Sequence, residues 1–497
     1  MAWQTGQRIV SAFRLLLCTA LLTGCTKDRA KVNRGNYPDE IGKIITLSCA
    51  QSGCHNNESY KAAGNYNLQT WSDMFKGAGS GNPVIPYNSK FSSLCYYINT
   101  YPELGLQNVP TMPLNKPALT YTEVKKIKDW IDAGAPDING QVMWADNPQL
   151  KKLYAVNQGC DVVTVFDSKT RLPIRYIDVG TKPGSPDTPH QIRVSPDGAY
   201  WYVVFINNNV MQKFRCSDDS YVGTIPLTPV AAGTSTNPLA DAADWNTFVI
   251  TRDGKRAYAV SWSTSGKVAA VDLEKRTLLH YAPAFYEPHG IALNAAEDKV
   301  YITAQVGNYI TECDTGFQNR NELSLQEGLA PSQFPSLNAH DILLAPNGVD
   351  LLITCQLSNE VRVYNTQTKK VTNIINTGVY PQEIVYSRGT ASYYISCTYD
   401  STMFRGSTGV ITRISANGYQ ASHIACGFQP HGMAVDEANA LLYVLSRNGS
   451  SNGPQPHHTS VCSGRNGFAS FVDLSNFTVL PGRVELSVDP YFIFARP

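Results

Sequence analysis

One pattern of apolar and polar positions recurs six times between residues 189 and 443. Each repeat opens with a strand-like segment whose second residue is polar, and twelve residues later comes the middle of a second, apolar segment. Turn signals such as Pro196-Asp197-Gly198 separate the two segments, and a third alternating segment follows. Repeats of roughly forty to sixty residues with three or four strands each are typical of β-propeller blades. The openings are Pro189–Ile192, Trp245–Phe248, Pro288–Ile291, Ala339–Ile342, Pro381–Ile384 and Pro430–Met433, and the residues twelve positions on are Tyr202, Tyr258, Tyr301, Leu352, Tyr394 and Tyr443.

The two ends of the repeat region complete a seventh blade. Residues 489–493 repeat the opening segment but are not followed by the later ones. The region begins instead with the later segments, at Leu153–Val156, Val162–Asp167 and near Tyr176. A ring closed by strands from both ends leaves no exposed sheet edge. We therefore predict an all-β, seven-bladed propeller over residues 149–497.

Composition and charge narrow the class of protein. The chain has 497 residues, which is too long for one typical core, so we expect more than one domain. Lysine and arginine number 41 against 40 acidic residues, so the net charge gives no general attraction to nucleic acid or anionic membranes. Twelve cysteines suit an oxidising compartment, although their spacing does not reveal their pairing.

The first residues indicate export. Arg8 and Arg14 precede an apolar run over residues 15–22 that is too short to span a bilayer as a stable helix. Leu-Thr-Gly-Cys at 22–25 has the form of a bacterial lipobox, in which Cys25 becomes the lipidated first residue of the mature protein. We expect a lipid-anchored protein of the bacterial cell envelope, on the periplasmic side or at the outer membrane. The alternative is an ordinary signal peptide or an uncleaved anchor.

Residues that could bind a cofactor lie between the export signal and the repeats. Cys49, Cys54 and His55 form a pattern for covalent attachment of a c-type haem, in which each thiol adds to a vinyl group and the adjacent imidazole binds the iron. Four residues separate the cysteines here, whereas the usual motif has two. The alternatives are that Cys49 and Cys54 are disulfide cysteines, with Cys95 as a further partner, or that Cys54 alone holds haem.

Met112 is the candidate for the second axial ligand, because a thioether stabilises ferrous haem iron. Thr120 and Glu123 have the spacing of a capping box and predict that a helix follows. The position of Met112 just before this last helix favours it over Met74 and Met143.

The order of attachment motif, variable middle, Met-Pro and Trp-bearing helix resembles the class I cytochrome c fold, and the ending Asp129–Pro136 resembles planctomycete-type cytochrome c domains. The propeller repeats resemble the YVTN-type family. These resemblances imply a small all-α cytochrome c domain with one covalent haem c, bound through Cys49, Cys54, His55 and Met112, ahead of the propeller. The expected organisation is a signal peptide over 1–25, a tether over 26–37, the cytochrome c domain over 38–136, a linker over 137–148 and the propeller over 149–497.

A second set of candidate residues lies in the propeller. The second positions of the opening strands are all polar, and we expect them to line the central channel near one mouth. Several histidines facing one axis suggest a transition metal site. In YVTN-type propellers, however, such a histidine resembles a hydrogen-bonding wedge between blades. The seven residues are His190, Asn246, His289, His340, Gln382, His431 and Tyr491.

The loop over residues 448–466 holds His457, His458 and Cys462 among glycines, serines and prolines. These side chains suggest a metal site or docking surface, although such a composition is more typical of a flexible insertion.

The sequence thus predicts an exported, lipid-anchored monohaem cytochrome that transfers one electron at a time. The propeller is expected to act as a scaffold or docking platform for a redox partner protein, and the membrane is contacted through the lipid. Two alternatives are a haem-dependent oxidoreductase with a metal or second cofactor in the propeller, and a cell-surface binding module.

Overall fold

The computed structural model describes residues 34–145, 147–181, 186–229, 244–404, 408–447, 462 and 467–497. The proposed export signal with Cys25, most of the tether, and the loop residues His457 and His458 lie outside these ranges. Among the described residues, no helix is long and apolar enough to cross a membrane. The described part of the chain begins with four α-helices, and seven antiparallel sheets follow.

The seven sheets are the blades of a β-propeller, as predicted. Six of them contain four strands that follow one another in sequence, and blade 7 among these has one further short strand. In blade 1 the last strand of the chain precedes three strands from the start of the region. Their bounds are Pro490–Ala495, Lys152–Asn157, Val162–Asp167 and Leu172–Asp178 in blade 1; Pro189–Val194, Tyr200–Phe205, Asn208–Arg215 and Tyr221–Pro226 in blade 2; Trp245–Ile250, Arg256–Ser261, Gly266–Asp272 and Thr277–Phe285 in blade 3; Pro288–Leu293, Lys299–Ala304, Tyr309–Asp314 and Asn321–Ser324 in blade 4; Ala339–Leu344, Asp350–Cys355, Glu360–Asn365 and Lys370–Asn376 in blade 5; Pro381–Ser387, Ser392–Cys397, Val410–Ser415 and Ala421–Ala425 in blade 6; Pro430–Asp436, Leu441–Ser446, Phe468–Asp473, Thr478–Val479 and Val484–Glu485 in blade 7.

Blade 1 closes the ring with strands from both ends of the region. The last strand, Pro490–Ala495, pairs antiparallel with Lys152–Asn157, and Ile493 lies opposite Ala155. This arrangement confirms the predicted closure and leaves no unpaired inner edge between the first and last blades.

The hydrophobic cores lie between neighbouring blades. Tyr202 and Met211 of blade 2, for example, pack in one buried cluster with Phe248 and Ala259 of blade 3. The two faces of each blade therefore pack against two different neighbouring blades. Because both faces are buried, the inner strands are almost continuously apolar rather than alternating.

The described residues before the propeller form four helices around a hydrophobic core of their own. Thr120 accepts a hydrogen bond from the backbone N–H of Glu123, whose carboxylate accepts one from the N–H of Thr120, which confirms the predicted capping box. Below this cap, Val124, Ile127 and Ile131 face the core. The helices are Asp39–Ile44, Trp71–Met74, Ser93–Ile98 and Tyr121–Asp132.

This helical segment packs directly on the propeller. The ring of Phe91 stacks on that of Tyr176 in blade 1, with centroids 4.8 Å apart, and the carbonyl of Ser80 accepts a 2.9 Å hydrogen bond from Glu485 in blade 7. Trp144, in the stretch expected to be a linker, contacts both the helical core and the first propeller core. The helical segment is therefore held against blade 1 by a buried aromatic contact and against blade 7 by a backbone hydrogen bond.

A disulfide crosses the closure of the ring. Cys160, just after the second strand of blade 1, is bonded to Cys462 in the long loop of blade 7. Eight other described cysteines are free thiols. The bond joins residues 302 positions apart in sequence, so it restricts the unfolded chain strongly.

We expect Cys462→Ser to lower the free energy of unfolding by about 2–5 kcal/mol, because the substitution removes this cross-link. Denaturant titration monitored by circular dichroism measures the change. A reductant should shift the unfolding midpoint of the wild type and leave that of Cys462→Ser unchanged. Equal midpoints for the two proteins without reductant would contradict the stabilising role of the disulfide.

Candidate functional site

Cys49, the first cysteine of the predicted attachment motif, lies at the distorted end of a helix. The helix Asp39–Ile44 continues as a π-helical turn over Ile45–Cys49, in which the N–H of Ala50 bonds to the carbonyl of Ile45 at 2.9 Å. Such wider turns are frequent at functional sites. The turn ends with the Cys49 thiol buried in the helical core.

A tight turn then returns the chain to Cys49. The N–H of Cys54 bonds to the carbonyl of Gln51 at 3.0 Å, and Gly53 adopts a φ of 79°, which glycine tolerates without strain. The next amide, that of His55, donates to the carbonyl of Cys49 at 3.2 Å. The two extra residues of this motif are thus absorbed by local turns, and the second cysteine and the imidazole lie beside the first cysteine.

The imidazole of His55 is held in one tautomer. Its Nδ1 lies 2.9 Å from the carbonyl oxygen of Tyr66, and a carbonyl oxygen only accepts hydrogen bonds. Nδ1 therefore carries the proton in neutral His55, and Nε2 keeps a lone pair for a metal. The hydrogen bond from the N–H of Leu68 to the carbonyl of His55, at 2.8 Å, fixes the backbone of the same residue.

Met112 lies in an open loop that reaches the same core. Its N–H donates to the carbonyl of Tyr97 at 2.8 Å, and its half-buried side chain packs on the cluster that contains Cys49. Lys116 of the same loop is close enough to Cys49 to act on it electrostatically. The loop also exposes apolar side chains, and Val109 is 86% exposed.

Met74 and Met143 take other places in the structure. The Met74 side chain is fully buried inside the helical core, whereas Met143 packs on that core and its carbonyl accepts a hydrogen bond from Arg175 of blade 1. Neither is placed on the exposed loop that carries Met112.

The three cysteines of the helical segment are free thiols, so the structure does not support the disulfide alternative. Burial, and secondarily the neighbouring Cys54, raise the pKa of the Cys49 thiol to about 12. Burial likewise raises the pKa of Cys95 to about 12. Near Cys49 the hydroxyl of Tyr66 is buried and has no hydrogen-bond partner among the described residues.

The polar ring predicted in the channel is created by β-bulges. In every blade the pairing of the opening strand with the next strand shifts register around the second residue, and bulges of this kind re-aim side chains. The bulges are braced by hydroxyls from the second strand: Thr354 accepts from the N–H of Asp341 at 2.9 Å and donates to the carbonyl of Gln382 at 2.8 Å. The shifts follow Pro189, Trp245, Pro288, Ala339, Pro381 and Pro430, and in blade 1 they surround Tyr491.

Three ring histidines connect one blade to the next. The Nδ1 atoms of His190, His289 and His431 lie 2.8, 3.0 and 3.2 Å from the carbonyl oxygens of Asn246, His340 and Tyr491. Each carbonyl belongs to the second residue of the following blade. These contacts match the wedge role implied by the resemblance, and they leave Nε2 as the unprotonated nitrogen of the neutral ring.

Ring residues of neighbouring blades contact one another around the channel. Ring centroids are 3.8 Å apart for His289 and His340, and 3.9 Å apart for His431 and Tyr491. His190, His289, His340 and Tyr491 also line a cavity of about 230 Å³. The cavity reaches the surface, because Trp262 in its wall is 40% exposed.

The third positions of two opening strands add acids that the sequence analysis did not single out. Glu383 of blade 6 and Asp341 of blade 5 share a hydrogen bond, and Arg193 acts on both electrostatically. Burial and the Asp341 charge raise the pKa of Glu383 well above its usual value. Burial also raises the pKa of Asp341, although backbone amides of Ile342 and Ile384 and the charge of Arg193 oppose this shift.

One group of side chains in the channel has the composition of a metal site. His340, Glu383 and His431 are all buried, and each offers a ligand atom within 4.8 Å of the others. The two histidines were predicted, and Glu383 could have been found as the acid that directly follows a ring position. The loop candidate is weakened, because Cys462 is in a disulfide and cannot serve as a thiolate ligand.

Comparisons with known proteins complete this description. No protein-family model matches the chain, and no curated protein matches it in sequence. It is similar to the solved structure of Kuenenia stuttgartiensis hydrazine synthase, with 14% identity and a TM-score of 0.47, over 64% of this chain and 91% of that one. It is also similar to a functionally unknown protein from Desulfotomaculum acetoxidans, with 14% identity and a TM-score of 0.47, over 68% and 99% of the two chains. A protein of unknown function from Bacteroides caccae is 11% identical, with a TM-score of 0.40, over 56% and 94%.

Proposed function

We propose that this protein is a monohaem c-type cytochrome that transfers single electrons. The observation that carries the proposal is the His55 site. A carbonyl holds the imidazole with Nε2 unprotonated, and the turn places it beside two free cysteines. Ligating histidines characteristically donate their other N–H in this way. A bound haem supplies an iron that accepts and releases one electron.

Attachment needs only the thiols of Cys49 and Cys54. With haem present, each S–H would add across one vinyl C=C bond of the haem, which would form one C–S and one C–H bond and require no oxidant. The thiolate is the reactive form of a cysteine, and burial keeps Cys49 protonated in the folded protein. We therefore expect Cys49 to react before the helical core closes around it.

The surroundings of the site fit a large apolar group with polar edges. The loop with Met112 presents exposed apolar side chains such as Val109, which would cover a haem face. The buried Tyr66 hydroxyl is an unused hydrogen-bond donor near Cys49, and haem propionates are acceptors. In this proposal His55 is the proximal ligand and Met112 the distal ligand.

We expect Met112→Ala to lower the midpoint potential by on the order of 100 mV, within the roughly 0.8 V range that axial ligands set. The physical reason is that the thioether stabilises the ferrous state. Potentiometric titration followed in the visible spectrum measures the shift. Met143→Leu is the control and should keep the wild-type potential. If Met112→Ala leaves both the potential and the sulfur-to-iron charge-transfer band unchanged, Met112 is not the distal ligand.

We place the protein at the bacterial cell envelope, anchored through lipidated Cys25, on the basis of the lipobox pattern alone. Several acyl chains hold a protein at a membrane firmly, whereas one chain does not. The propeller serves as a platform for a redox partner protein. Haem staining of the denatured, full-length protein from a host with haem-attachment machinery tests the proposal, and an unstained band would refute it.

A further inference from the structure

We propose that the propeller channel binds one divalent first-row transition metal ion through His340, Glu383 and His431, here called the His–Glu cluster. This site is separate from the electron-transfer site proposed for the helical segment. It is formed by residues of blades 5, 6 and 7 and includes none of the residues assigned to the haem.

The donor set and its spacing suit such an ion. Two imidazoles and one carboxylate are a common ligand set for zinc and for ferrous iron. Ligand bonds of about 2.0–2.2 Å place neighbouring donor atoms about 3 Å apart. The donor atoms of the cluster already lie within 4.8 Å of one another, so side-chain rotations can bring them onto one ion.

His431 contacts both a neighbouring backbone carbonyl and the carboxylate of the cluster. Its Nδ1 lies 3.2 Å from the carbonyl oxygen of Tyr491 and 3.8 Å from a carboxylate oxygen of Glu383. A carbonyl can only accept, so in the neutral ring Nδ1 carries the proton and Nε2 carries the lone pair that would bind an ion. This arrangement, in which a backbone carbonyl orients the imidazole, is the usual outer shell of a histidine ligand.

The cavity gives the metal access to small molecules. His340 lines the cavity of about 230 Å³ together with Gln356 and Gln382, so one ligand of the cluster faces open space. Three protein ligands leave at least one coordination position unfilled, which is typical of metal sites that bind water or a substrate. The site would therefore present an exchangeable position toward the channel mouth.

Zinc binding by the full-length protein tests the proposal. The chelator-treated protein is dialysed against Zn²⁺, and bound zinc is measured by elemental analysis, which haem iron does not disturb. We expect one zinc per wild-type chain, and at least about tenfold weaker binding in Glu383→Gln and in His431→Gln. Glu383→Gln keeps the shape of the side chain and should fold normally.

The matched control is His190→Gln. His190 belongs to the same ring and makes the same type of contact to a neighbouring carbonyl, but it is outside the cluster. This variant should bind zinc as the wild type does, and zinc should raise the thermal midpoint of both proteins but not of Glu383→Gln. The proposal is overturned if the wild type binds no stoichiometric zinc, if Glu383→Gln binds it equally well, or if His190→Gln loses it to the same extent. Cys49→Ala/Cys54→Ala should still bind zinc, which separates this site from the haem.

Discussion

Replacing both Cys49 and Cys54 with alanine should abolish covalent haem in this protein. No other cysteine can take over, because Cys95 is buried elsewhere in the helical core and is not followed by histidine. Without thioether bonds a haem is lost on denaturation, so the stained band disappears from a denaturing gel. Each single variant should keep one thioether and remain stained, with an altered absorption maximum in the reduced state.

The control for this prediction is Cys95→Ala, which removes a buried thiol from the same core. It should retain full haem staining. Staining that persists in the double variant, or that disappears equally in Cys95→Ala, would show that the attachment site has been assigned to the wrong cysteines.

Deleting residues 490–497 should destroy the cooperative folding of the propeller. The deletion removes the innermost strand of blade 1 and with it the buried side chains of Tyr491 and Ile493. It also exposes the inner edge of Lys152–Asn157, because the strand that covers this edge is gone. We expect the truncated protein either to aggregate or to remain soluble without a sharp thermal unfolding transition. Calorimetry and circular dichroism measure this transition.

A matched pair of substitutions tests the same closure without truncation. Ile493→Ala empties a fully buried position and should cost about 2–5 kcal/mol of unfolding free energy. Ile374→Ala makes the same chemical change on the outer strand of blade 5, where the side chain is 56% exposed, and should cost no more than about 0.5 kcal/mol. Equal costs at the two positions would contradict the role of the last strand in closing the ring.

The propeller was predictable because its strands repeat in register. A polar residue in the second position of each opening strand and an apolar residue twelve positions later are local features, so sequence alone locates every blade. The capping box of Thr120 and Glu123 was predictable for the same reason. The ring of His190, His289 and His431 followed from the position of each residue within the repeat.

Contacts between distant parts of the chain could not be read in this way. The stacking of Phe91 on Tyr176 and the Cys160–Cys462 bond depend on how the helical segment and the blade 7 loop meet the ring. Neither contact is marked by a periodic pattern in the sequence. The spacing of four residues between the motif cysteines was equally ambiguous, because the sequence does not show that the turn between Gln51 and Cys54 brings His55 back to Cys49.

The acidic residues in the channel could not be predicted for a different reason. Glu383 occupies a third position, where the other blades have glycine, threonine, glutamine, phenylalanine or, in blade 5, Asp341, so no shared residue type marks this position. Its significance comes from burial next to Asp341, His340 and His431, which are brought together by three consecutive blades. The repeat reveals the positions that all blades share. A site formed by residues that differ between blades can be recognised only in the assembled ring.

The most direct measurement for the whole account is the intact mass of the full-length protein together with its visible spectrum, oxidised and reduced. The protein should come from a host that attaches haem covalently. We predict a mass that exceeds the amino-acid chain and its lipid by one haem, and a reduced spectrum typical of c-type haem with sulfur ligation. A colourless protein with the mass of polypeptide and lipid alone would contradict the assignment of Cys49, Cys54 and His55 to a cofactor.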